Sequence, residues 1–114
     1  MQNENLELMR KLMCEMSKVP LHIRNTIEKL VLDMPDEWFN PVESKANNIL
    51  HLRGDTHGLD RIEISNTLDR FVVKVYHETN QNVGMGLEKR HQYDASILRL
   101  TTMLAIYSAL SESY

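Results

Sequence analysis

A single cysteine, Cys14, among 114 residues excludes an internal disulfide and a cysteine-based structural zinc site. The fold must then stand on packing, in a composition that fits a reducing, cytoplasmic compartment. An excess of positive charge is missing too. Thirteen basic residues face sixteen acidic ones, a formal net charge of −3, which excludes an extended nucleic-acid track and an anionic-membrane binder. The amino terminus opens with Gln2, Asn3, Glu4 and Asn5, without the basic start of a secretory signal. No apolar run reaches the roughly 20 residues that a membrane-spanning helix needs. Glycines are few. Gly84-Met85-Gly86 lacks the third glycine of a dinucleotide fingerprint and the Lys-Ser/Thr of a phosphate loop, and reads as a joint between sheet and helix.

What is present is apolar residue at helical spacing. Leu6, Met9, Met13 and Met16 recur at steps of three, four and three, with Leu12 and Val19 widening the stripe. Cys14 falls beside it and reads as a half-buried, inert thiol. Pro20 ends this first helix, because proline removes an amide donor and biases Val19 away from helical angles. Ile23, Ile27, Leu30 and Val31 continue a second helix to Pro35. The spacing predicts a helical arm over residues 1–34 and a body over residues 35–114, together one domain.

Between Pro35 and Pro41 lie Trp38 and Phe39, which either pack on the core or anchor a partner. Asn40-Pro41-Val42-Glu43 has the form of a helix start, and Val42, Ala46, Ile49 and Leu50 carry its face toward Gly54. A strand beginning at Ile49 is the alternative. Arg61-Ile62-Glu63-Ile64 alternates with period two, and residues 71–76 are dense in β-branched and aromatic side chains. With turn chemistry at residues 78–82, this predicts a hairpin or three-stranded meander over residues 60–87. The competing pattern is one helical face formed by Ile64, Leu68, Phe71, Val72 and Val75. In the last segment Tyr93, Ile97, Leu100, Leu104 and Tyr107 step by four, three, four and three, and no charge occurs from Leu100 through Ser111. A helix apolar nearly all round is a core helix, or shows its second face to another subunit. The fold class expected is α+β, with a helical arm, a small antiparallel meander and a buried C-terminal helix. An all-α bundle of four or five helices is the alternative.

Catalytic constellations are sparse. His51, Asp55 and His57 match no metal-ligand spacing, and nothing points to a cofactor. Arg70 and His77, seven apart, would share a helix face, and the pair resembles the Arg-x(4–6)-His motif of HEPN-type ribonucleases. That resemblance rests on these two residues, with Phe71 where the family has a polar one. It implies a ribonuclease using Arg70, His77 and Glu78. On a strand the two side chains fall on opposite faces. Arg53, Arg61, Arg70, Lys89, Arg90 and His91 supply cations for a small anionic ligand such as a nucleotide at a subunit boundary.

Seven methionines and two apolar helices must find cover in a small domain, which buries only about 60–68% of its unfolded surface. Self-association would cover the remainder. The leading expectation is a non-enzymatic regulatory or adaptor protein, a dimer or higher oligomer. It would bind itself and a protein partner through Leu6, Met9, Met13, Met16, Trp38, Leu104 and Tyr107.

Overall fold

The structure is a computed structural model that describes residues 2–42, 47–54, 56–77, 82–88 and 94–112. Two helices come first, α1 (Gln2–Ser17) and α2 (Leu21–Asp33), followed by a 3₁₀ turn at Asp36–Phe39. Four strands follow, β1 (Asn48–His51), β2 (Leu59–Asn66), β3 (Arg70–His77) and β4 (Asn82–Glu88). Helix α3 (Ala95–Ser111) closes the chain. The fold is α+β.

The prolines set the helical boundaries. Pro20 stands at the N-cap of α2, and its carbonyl accepts from the amides of Ile23 and Arg24 at 3.0 Å. Pro35 forces Met34 to an extended ψ of 140°, which stops α2 after Asp33. Asp94 caps α3 by accepting from the amide of Ile97 at 3.0 Å.

The strands form one antiparallel sheet in the order β1-β2-β3-β4. Period two sorts its faces. Ile62 and Ile64 of β2 and Phe71, Val73 and Val75 of β3 are buried under the helices. Arg61, Glu63, Ser65, Val72, Lys74 and Tyr76 lie on the uncovered face. The expected three-stranded meander is present, and β1 adds a fourth strand. Residues 48–51 therefore extend rather than continue a helix from Pro41, because pairing with β2 places Leu50 opposite Ile62 on the covered face. Gly84 and Gly86 lie inside β4, not in a joint after the sheet.

Helix α3 is the hub. It packs against α1, α2, the 3₁₀ turn, β3 and β4, and nine of its residues, from Leu98 to Leu110, are buried. Its two buried threonines satisfy their own hydroxyls: Thr101 donates to the Ile97 carbonyl at 2.9 Å and Thr102 to that of Leu98 at 3.0 Å. The expectation that α3 shows a second face to another subunit is thus corrected. This chain wraps it.

Two polar side chains fasten the layers. Arg99 donates to the Val31 carbonyl at 2.7 Å and the Met34 carbonyl at 3.3 Å, pairs with Asp36, and lies 4.3 Å over the Phe39 ring. A cation at the C-terminus of α2 satisfies carbonyls that the helix leaves without partners. Asn66, fully buried, donates to the carbonyls of Trp38 at 2.9 Å and Asn40 at 3.0 Å, tying the 3₁₀ turn to the sheet.

Candidate functional site

Helix α1 carries two apolar stripes side by side, and only one is covered. Leu8 and Leu12 turn inward into the core, and Val19, just past the helix end, is buried with them. Glu15, which continues that inward spacing, accepts from the Ser111 hydroxyl of α3 at 2.5 Å. This hydrogen bond is the largest of the causes that hold the Glu15 carboxyl below its usual range. The second stripe points outward. Leu6 is 54% exposed, Met9 40% and Met13 64%, while Met16 packs against the core at its edge. The stripe is continuous with the core through Met16 and spans about 10 Å of helix from Leu6 to Met13. Glu7, Arg10 and Cys14 are exposed beside it. The thiol lies at the surface, not half-buried as its spacing suggested.

Other residues expected at an interface are elsewhere. Leu104 and Tyr107 are enclosed in the core, so neither offers surface to a partner. Tyr107 donates to the Arg24 carbonyl at 3.2 Å, and burial, with Glu28 nearby, pushes its phenol up to about 12. Trp38 is half-buried against the core. Leu21 and Leu32, near the two ends of α2, and Val42, Ile49 and Leu68 are exposed singly, which is ordinary for a folded domain.

The uncovered face of the sheet is the other candidate. The Arg61 guanidinium lies 4.0 Å over the Tyr76 ring, and Tyr76 donates to Glu63 at 3.1 Å. Arg61 Nε approaches Glu63 at 3.4 Å as a charge contact without hydrogen-bond geometry. Its charge is thus committed within the sheet. Arg70 stands near the opposite end of β3, six residues from Tyr76, or roughly 20 Å along a strand. Arg53 follows β1, and Lys89, Arg90 and His91 lie outside the described residues. The described arginines therefore do not converge on one anion. Two hollows of about 290 and 380 Å³ meet at Val72. The first holds Glu63 and Lys74 and the second Arg70 and Glu88, so each pairs opposite charges.

The ribonuclease-like pairing dissolves. Arg70 and His77 sit at the two ends of β3 on opposite faces, Arg70 exposed and His77 buried. Glu78 and Asp55 lie outside the described residues. Among the described residues no group of three His, Cys, Asp or Glu is placed to hold a metal ion. No helix among them is long and apolar enough to cross a membrane. The residues that the sequence did not reveal, Arg99 and Asn66, serve the fold, and partners 26 to 68 positions away left no local signal. Compared with protein-family models, curated proteins and solved structures, the chain matches none.

Proposed function

We propose that this chain is a non-enzymatic interaction protein that docks through the outer stripe of α1, and that the α1 of a second copy occupies it. The observation that carries the reading is the exposure of Leu6, Met9 and Met13 on one helical line contiguous with the core. Scattered apolar residues need no explanation, but an aligned stripe does. Its 3-4-3 spacing reads the same in both directions. An antiparallel pair about a two-fold axis sets Leu6 against Met16 of the copy, and Met9 against Met13. Methionine suits such a contact because its unbranched side chain adapts to an irregular surface.

Sedimentation equilibrium tests this. In the variant Leu6→Gln, Met9→Gln, Met13→Gln the association constant falls at least about tenfold, since three apolar side chains leave the contact. The melting temperature stays close to that of the parent, because these side chains lie outside the core. An unaltered parent that is monomeric at concentrations on the order of 100 μM, or a variant that associates as strongly as the parent, overturns the proposal.

A further inference from the structure

Among the described residues, no strand pairs with the outer edge of β4. Strand β4 is the outermost strand of the sheet and pairs with β3 over seven residues without a register shift. Proteins usually protect such an edge with proline, an internal lysine, a bulge or a very short strand. β4 contains none of these, and its one charged residue is Glu88 at the end. The opposite edge is different, for β1 has only four residues. The residues of β4 are also self-complementary. Val83-Gly84-Met85-Gly86-Leu87 places glycine symmetrically about Met85 and an aliphatic residue at each flank.

We infer that β4 pairs antiparallel with β4 of a second copy, about a two-fold axis at Met85, making one continuous eight-stranded sheet. This register aligns Val83 with Leu87 of the copy, Gly84 with Gly86, and Met85 with itself. Charge favours it. Glu88, already in register with Arg70 on β3, comes level with Asn82 of the copy, whereas a parallel pairing would set Glu88 beside Glu88. On the uncovered face Gly84 and Gly86 present no side chain to the approaching strand. A Cβ at Gly84 would meet nothing within 4 Å, and one at Gly86 would touch only Val72 Cγ2 at 3.5 Å and the Phe71 carbonyl at 3.6 Å. On the covered face Met85 and Leu87, both half-buried, come level with Met85 and Val83 of the copy, and the core extends across the junction. A strand of seven residues is about 24 Å long, so the contact is smaller than a standard interface and the pairing is reversible.

The experiment uses the α1 variant Leu6→Gln, Met9→Gln, Met13→Gln, so that the outcome does not depend on the α1 reading. That chain forms a concentration-dependent dimer in sedimentation equilibrium. Adding Gly84→Lys with Gly86→Lys opposes introduced lysines twice across the two-fold axis, and the association constant falls at least about tenfold. Mixing this chain with one bearing Gly84→Glu and Gly86→Glu restores a dimer, because each introduced lysine then faces a glutamate. Amide exchange in the chain with unaltered β4 gives a second readout. Protection within residues 82–88 rises with protein concentration. A monomer at about 200 μM, a lysine variant that dimerises unchanged, a mixture that stays monomeric, or exchange independent of concentration overturns the inference.

Discussion

Helices α1 and α3 are both rich in apolar residues, yet the chain treats them oppositely. α3 is apolar on nearly every side and is surrounded by two helices, the 3₁₀ turn and two strands. α1 turns Leu8 and Leu12 into the core and leaves Leu6, Met9 and Met13 uncovered. Total apolarity therefore says little about which helix has surface to offer. What decides it is how many elements a helix can lie against, and α1 has one principal neighbour where α3 has five. The helix that looked most in need of a partner is the one least able to meet one.

The largest effects should come from the hub. Leu104→Ala and Ile106→Ala each leave a cavity among elements that cannot all collapse onto it, at a cost of about 2–5 kcal/mol in urea unfolding. Met13→Ala should change that stability by less than about 0.5 kcal/mol, and a larger loss would mean that the outer stripe is core. Arg99→Met comes next. It strips donors from the Val31 and Met34 carbonyls and leaves Asp36 without its partner, costing about 2–4 kcal/mol by the same assay.

A smaller loss is expected for Asn66→Ala. Two carbonyls at the 3₁₀ turn lose their donor, worth about 1–3 kcal/mol, with no change in association. pH sharpens the contrast at both extremes. The raised Tyr107 pKa means that the folded state keeps the phenolic proton longer than the unfolded chain does. Stability is then full below pH 10 and falls as pH rises toward about 12, and Tyr107→Phe removes that part of the slope. Glu15 acts in the other direction. Its lowered pKa gives a contribution present above the ordinary value of 4.5 and lost as pH falls. Because this carboxylate is well solvated, the change on Glu15→Gln is the smallest of the set.

α3 was legible from its four-three repeat from Ile97 to Tyr107. The meander was legible only in part: residues 61–64 alternate and residues 71–76 are dense in β-branched and aromatic side chains, but Ile64, Leu68, Phe71, Val72 and Val75 also fit one helical face. The fourth strand was not. Asn40-Pro41-Val42-Glu43 carries the local chemistry of a helix start, and what makes residues 48–51 a strand is pairing with Ile62 and its neighbours, a tertiary cause. The burial of α1 was hidden for a different reason. Residues 6, 9, 13 and 16 are all apolar, whereas the inward line through 8, 12, 15 and 19 is interrupted by Glu15. The carboxylate is accommodated there by the Ser111 hydroxyl on α3, by Lys18 at 3.2 Å, and by its partial exposure to water. The pairing of Arg70 with His77 depended wholly on helix or strand, and the strand separated them.

The central claim, that a second copy covers the outer stripe of α1, is tested most directly by a spin label on Cys14, the one cysteine of the chain and exposed beside that stripe. Paired helices lie about 8–10 Å apart. An antiparallel α1 pair then places the two labels within roughly 30 Å of each other, side-chain linkers included. The dipolar signal should show that distance between copies and lose it in the variant Leu6→Gln, Met9→Gln, Met13→Gln. Labels that never approach within that range, or a short distance that survives the three substitutions, would contradict it.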